Sequence, residues 1–339
     1  MNNSPAIGIV STGLYLPKHR ITAAEIAGLS GIPVEIVRDK MGINQKPVPG
    51  PEDHTCQMGI RAARQALERA RFDPSLIDVV IYTGEEHKEY PLWTAGIKLQ
   101  HEIGARRAWS FDVQLRCGTN IMALKLAKSL MLADPAINAV LLAGGYRNCD
   151  LVDYTNPRSR FLYNLAAGGA AILLQKGHPL NQVLETAVIT DGSFSEDVII
   201  PAGGTKVPID HAALDGRLNY LDVPDPAGMK ERLEKLSLQN FVNVVRSAVE
   251  RSNYRVEDIS YLAILHMKYS AHRQVLEELG LSEEQAVYLN DYGHIGQMDQ
   301  ILSLNLALER KVIKNGDLVV MVSAGIGYAW DACAVKWGA

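Results

Sequence analysis

Leu67-Glu-Arg-Ala-Arg-Phe-Asp-Pro-Ser-Leu-Ile77-Asp-Val-Val-Ile-Tyr82 and Val249-Glu-Arg-Ser-Asn-Tyr-Arg-Val-Glu-Asp-Ile259-Ser-Tyr-Leu-Ala-Ile264 are one passage written twice, at a constant offset of 249 − 67 = 182. Each copy reads as the end of an amphipathic helix, a polar turn and an apolar run of strand length. A second correspondence follows. From Cys117 the chain passes through a helical pattern, a turn at Asp134-Pro135 and a strand pattern over 139–145; from His294 it passes through a helical pattern over 301–314, a turn at Asn315-Gly316 and a strand pattern over 318–325. Strand and helix units duplicated in this way predict an α/β protein of two like units, residues 1–177 and 178–339, with buried sheets covered by helices. A pseudo-twofold axis between them would bring equivalent loops face to face.

Composition narrows the function. The chain has 339 residues, 47% of them hydrophobic, enough for a large core. A formal net charge of −4, with dispersed basic residues, argues against nucleic acid as partner. No uninterrupted apolar stretch reaches the roughly 18 residues of a membrane span, and the N-terminal residues lack the basic and apolar regions of a leader, so a cytoplasmic protein is expected. The four cysteines, Cys56, Cys117, Cys149 and Cys333, form no Cys-x-x-Cys pair, which leaves neither a disulfide framework nor a structural zinc site indicated. The Gly-Gly pairs at 144, 168 and 203 are not followed by the Lys-Ser or Lys-Thr of a phosphate loop, so no nucleotide cofactor is implied.

The chemistry centres on Cys117. It lies in Ser110-Phe-Asp-Val-Gln-Leu-Arg-Cys117-Gly-Thr-Asn-Ile-Met-Ala-Leu-Lys-Leu-Ala127, where a buried-strand pattern gives way to a helical one. The N–H groups of a helix's first turn favour thiolate, the form that attacks a carbonyl. His294 takes the equivalent helix start in the second copy. His266 follows a strand pattern over 261–265, at the position equivalent to Gly84. Three reactive side chains thus fall on strand-end loops, where rigid scaffolds carry catalytic groups. A zinc site built from the three has no apparent supporting residues, and no metal is expected. His19, His54, His101, His178, His211 and His272 stand in polar contexts without ligand spacing.

Several segments in order carry a family likeness: Gly13-Leu-Tyr-Leu-Pro17, Lys40-Met-Gly-Ile43, Phe111-Asp-Val113 ahead of the cysteine, Ala166-Ala-Gly-Gly-Ala-Ala-Ile-Leu-Leu174, and Ala324-Gly-Ile-Gly-Tyr-Ala-Trp330. End to end the chain resembles the thiolase superfamily, and within it the β-ketoacyl-ACP synthase III branch. The resemblance implies a thiolase fold, its duplicated halves forming five layers, α-β-α-β-α, in a homodimer. It implies acyl transfer through a Cys117 acyl-enzyme, with the oxyanion received by the Cys117 N–H and by the Gly325-Ile326-Gly327 loop. Coenzyme A or phosphopantetheine thioesters would be substrates, an acyl carrier protein a partner, and no cofactor permanently bound. The family triad is Cys, His and Asn, with Gln-Ala-Asn after the histidine. Here Met267-Lys268-Tyr269 follows His266, and His294 replaces the asparagine. Both histidines can offer an N–H to a thioester carbonyl, and some decarboxylating synthases use a Cys-His-His set.

The resemblance and the departures from it point to condensation of the acyl-enzyme with a second, malonyl or β-keto, thioester in specialised acyl or polyketide metabolism. Two alternatives stay open: acyl transfer to an alcohol or amine without decarboxylation, and a non-catalytic partner subunit. Glu85 matches the position of the base in members that condense without decarboxylation. Tyr90, Leu92 and Trp93 fall where dimer contacts close the family's acyl tunnel. Ile36 replaces a tryptophan that stacks on the adenine of coenzyme A, and Arg246, Arg251, Arg255, Lys268 and Arg273 form a candidate surface for an acidic carrier protein.

Overall fold

A computed structural model describes residues 5–338. The N-terminal residues examined for a leader lie mostly outside them. The first unit runs β1 (Ile7–Tyr15), β2 (Arg20–Thr22), α1 (Ala23–Ser30), β3 (Gln45–Pro47), α2 (Thr55–Ala70), β4 (Val79–Thr83), α3 (Ala95–Glu102), β5 (Trp109–Val113), α4 (Thr119–Ala133), β6 (Ala139–Tyr146) and β7 (Gly168–Lys176). The second runs β8 (Gln182–Thr190), α5 (His211–Asp215), α6 (Pro226–Arg251), β9 (Ile259–Ile264), α7 (Tyr269–Leu279), α8 (Asp299–Glu309), β10 (Leu318–Gly325) and β11 (Ala329–Lys336).

The repeated passage is repeated in backbone. Helix α2 is capped by left-handed Arg71 (φ 49°), and one repeat on, two residues past the end of α6, stands left-handed Asn253 (φ 63°). Single 3₁₀ turns follow at Pro74–Leu76 and Val256–Asp258, and each leads into a buried strand, β4 or β9.

Among the described residues nine strands form the order β5-β4-β6-β7-β1-β8-β11-β10-β9, with β2 and β3 pairing separately. Strand β4 runs parallel to β5 and β6, β9 parallel to β10, and the remaining ladders are antiparallel. Strands β1 and β8 pair antiparallel at Gly8 and Gln182, at the middle of the sheet. Alternate side chains of β4 enter different cores: Val79 and Ile81 join the central cluster, Val80 and Tyr82 the outer one beneath α2 and α3. Strand β9 does the same, sending Tyr261 and Ala263 inward and Leu262 and Ile264 toward α6 and α7. Helices α4 and α8 lie in the central cluster, α4 against β4 and β6 of its own unit and β8, β10 and β11 of the other, α8 against β9 and β10 and also β1 and β7. These are the five layers of the expected α-β-α-β-α arrangement.

Some boundaries differ from expectation. The helix expected over 301–314 is α8, which begins at Asp299 and stops at Glu309 ahead of left-handed Lys311 (φ 57°). His294 precedes it by five residues and a 3₁₀ turn, so it does not open the helix as closely as Cys117 opens α4. The strand before Cys117 is not buried: β5 is the sheet edge, paired only with β4, and Trp109 is half exposed.

Candidate functional site

Cys117 is set by a sharp strand-to-helix turn. Arg116 takes a left-handed φ of 50°, uncommon for a non-glycine residue, and Thr119 Oγ1 locks the bend by accepting from Leu115 N (2.8 Å) and donating to the Arg116 carbonyl (2.6 Å). The Ser323 hydroxyl of β10 donates to the Cys117 carbonyl (2.7 Å). Gly325, ending the same strand, passes so close that a Cβ there would stand 3.0 Å from Cys117 N and 2.9 Å from the Arg116 Cβ. Only glycine lets the 325–327 loop reach the nucleophile's backbone. A cleft of about 320 Å³ opens beside it, lined by Gln114, Leu115, Arg116, Ile326, Gly327 and Tyr328 together with the 190–192 turn.

The thiol faces His294. Cys117 Sγ lies 3.1 Å from His294 Nε2, and His294 Nδ1 lies 2.6 Å from Asp299 Oδ2. All three are buried. Asp299, in the first turn of α8, also accepts from Ile295 N (2.7 Å) and His266 N (2.8 Å), so its carboxylate is fixed by backbone before it holds the imidazole. Burial opposes a charge on His294, yet Asp299 and the adjoining thiol outweigh it and hold the imidazole's pKa well above the usual histidine value. Nucleophile, base and orienting carboxylate stand in line.

His266 is close by but differently engaged. Its Nε2 faces the Gly42 carbonyl at 2.9 Å, and its Nδ1 faces the Asn164 amide at 3.0 Å. A carbonyl only accepts and an amide NH₂ only donates, which assigns the Nε2–H tautomer. Burial pulls its pKa down to about 4, so the ring is neutral. Both nitrogens are taken by protein groups, so the N–H that the sequence reading assigns to a thioester carbonyl is engaged here by the Gly42 carbonyl.

Glu85 is buried rather than part of a solvated turn. It accepts from Asn148 Nδ2 (2.7 Å) and lies 3.6 Å from Arg116 Nη1; burial raises its pKa against the pull of Arg116. Tyr90 and Trp93 pack edge to face (5.7 Å) away from the cleft, Tyr90 and Leu92 exposed and Trp93 against the outer core of α2 and α3, because the chain reaches α3 over the surface. Within this chain they do not line the site. Ile36, in a π-turn, packs on the central core. The basic surface is partly neutralised: Arg251 pairs with Glu185, Arg255 with Glu257 and Asp258, and Arg273 with Glu277 and Glu283.

Sequence reasoning missed Asp299, whose signal was an acidic residue opening an otherwise apolar helix just after His294. It also missed Asp331. This carboxyl is fully buried, neither oxygen has a hydrogen-bond partner among the described residues, and its Oδ2 would stand 2.4 Å from a Cβ on Gly118, the residue after the nucleophile. Burial raises its pKa well above the carboxylate range.

Comparison with known proteins places these features in a family. Residues 111–192 match the family model for 3-oxoacyl-(acyl-carrier-protein) synthase III, and residues 249–337 match the model for that enzyme's C-terminal region. A β-ketoacyl-(acyl-carrier-protein) synthase III of Chlorobium phaeobacteroides is 27% identical over 335 residues, 97% of this chain and 98% of the relative. In fold, the chain superposes on the 3-oxoacyl-(acyl-carrier-protein) synthase III of Aquifex aeolicus with a TM-score of 0.84 at 21% identity, covering 98% of this chain and 100% of that one. A priming β-ketosynthase from a polyketide pathway gives 0.84 at 20% identity, covering 100% and 98%.

Proposed function

The chain belongs to the 3-oxoacyl-(acyl-carrier-protein) synthase III family, acyltransferases of the thiolase superfamily, and from that premise we propose that it loads an acyl group from a thioester onto Cys117 and passes it to a nucleophile activated by His294. The observation that carries this reading is the alignment of Cys117, His294 and Asp299, at 3.1 and 2.6 Å, beside a His266 whose nitrogens are already bonded.

In the first half-reaction the Cys117 thiolate attacks the thioester carbonyl. The oxyanion is received by Cys117 N–H and the glycine loop at 325–327. The tetrahedral adduct collapses by breaking the donor's carbon–sulfur bond, and the departing thiolate of coenzyme A or phosphopantetheine takes the proton from His294 Nε2. In the second, an acceptor hydroxyl or amine gives its own proton to Nε2 as it attacks the acyl-cysteine, and cleavage of the Sγ–carbon bond restores thiolate and imidazolium. Asp299 stabilises the imidazolium and orients the ring. No permanently bound cofactor is required.

Decarboxylative condensation is the second reading, favoured by the activity that the relatives' names carry and by a neutral His266 able to donate once released from Gly42. In that case His266 and His294 would steady the enolate formed on loss of carbon dioxide. Glu85, whose described partners are Asn148 and Arg116, is a supporting group in the first reading and a candidate base only for non-decarboxylating condensation. We take residues 1–177 and 178–339 as the two units. We further propose a homodimer, in which Tyr90 and Trp93 would meet the partner's tunnel, and an acyl carrier protein docking on the less neutralised part of the basic surface, Arg246 and Lys268.

The deciding test supplies acyl and malonyl thioesters with and without small alcohols and amines, and follows thiol release, labelled carbon dioxide and acylated product. Acceptor-dependent product without carbon dioxide supports transfer; stoichiometric carbon dioxide and a β-keto product overturn it in favour of condensation.

A further inference from the structure

Lys46 is fully buried, and its described partners include no carboxylate. Its ammonium donates to the carbonyls of Tyr163 (2.6 Å) and Leu165 and lies 5.4 Å from the centre of the Tyr154 ring. Burying a cation this way is costly, and its conformational consequence shows in what lies between those two carbonyls. Asn164 donates its amide to His266 Nδ1 (3.0 Å) and accepts the His294 N–H on its carbonyl (2.8 Å). The next two residues continue the contact: Leu165 forms a parallel bridge with His294, and Ala166 N donates to the His294 carbonyl (2.8 Å). Gly293 (φ 62°) closes the assembly, since a Cβ there would stand 2.5 Å from the Asn164 carbonyl and 2.9 Å from the Lys46 Cβ.

We propose that Lys46 is a positioning residue for the reaction, gripping the 163–165 turn so that its Asn164 sets the tautomer of His266 and the backbone height of His294 together. This rests on the assignment of His294 as the base. Burial lowers the lysine's pKa to about 8, but an uncharged amine still carries two hydrogens for two carbonyls, so the grip does not require charge. Lys46 touches no reacting atom, and its removal should act on turnover rather than on donor binding.

The test is Lys46→Met in the full chain, with ring-nitrogen NMR of the two histidines and kinetics of acyl transfer. The wild type should show His266 as a single Nε2–H tautomer. Lys46→Met should give mixed tautomers and at least a tenfold fall in kcat, with KM for the donor within about threefold and a full Cys117 adduct still reached. Unchanged histidine spectra and kcat in a folded Lys46→Met protein would overturn the proposal. Should that variant not fold, Asn164→Asp cuts the same link from the other side: a shift of His266 to the Nδ1–H or protonated form with slowed transfer supports the proposal, and wild-type spectra and rate overturn it. Failure of the acyl-enzyme reading is distinguishable, because it would appear in the wild type as no Cys117 adduct at all.

Discussion

Replacing Asp299 by asparagine keeps the shape of the site and removes the charge that holds His294. With the carboxylate oxygen 2.6 Å from Nδ1, the two charge centres are about 4 Å apart, and at an effective dielectric constant of about 20 their attraction is about 4 kcal/mol. That interaction is present in the imidazolium form and absent from the neutral ring. Its loss lowers the population of the reactive thiolate–imidazolium pair, and with it the rate of acylation, by up to about three powers of ten. The amide would also turn a donor toward the Ile295 or His266 N–H, destabilising the fold by about 1–3 kcal/mol. Single-turnover acylation by an acyl thioester, measured beside a denaturant titration, separates the two effects. Asp299→Asn should acylate up to about 10³-fold more slowly. A folded variant acylating within threefold of wild type would refute the role given to Asp299.

Other substitutions read neighbouring groups. His294→Gln should abolish acyl transfer and alter stability with a definite sign: the raised folded pKa contributes fully below pH about 6.5 and fades as pH rises toward the folded value, so wild-type minus variant Tm should shrink with increasing pH. Asp331→Asn should behave oppositely. Burial holds the carboxyl's pKa up in the fold while the unfolded chain ionises above pH about 4, so the variant should be more stable than wild type at neutral pH and the difference should vanish below pH about 4, as denaturant titrations at several pH values would show. Glu85→Gln should leave the rate of Cys117 acylation within threefold, since the carboxyl's described partners are Asn148 and Arg116; a loss beyond tenfold would make it part of the proton pathway.

The α/β class and its duplication were legible because strand and helix periods repeat at a fixed offset, which even left-handed Arg71 and Asn253 keep, whereas the five-layer arrangement was implied by the resemblance. Cys117 was legible for a local reason, a strand-to-helix turn with a thiol at its end. The proton relay was not. Asp299 and His294 are near in sequence, but their pairing depends on a 3₁₀ turn that no hydrophobic period encodes. The direction of His266 depends on Gly42 and Asn164, which are far from it in sequence and meet it only in three dimensions. Likewise, nothing in Asn44-Gln-Lys46-Pro marks a lysine that will be fully buried.

The central claim is tested most directly by intact-protein mass spectrometry of the wild type and Cys117→Ala after incubation with a panel of acyl-coenzyme A and acyl-carrier-protein thioesters. An acyl-sized mass gain in the wild type that is missing from the variant is the predicted result. A folded wild-type protein that takes up no acyl group from any donor, or a gain that survives in Cys117→Ala, would contradict it.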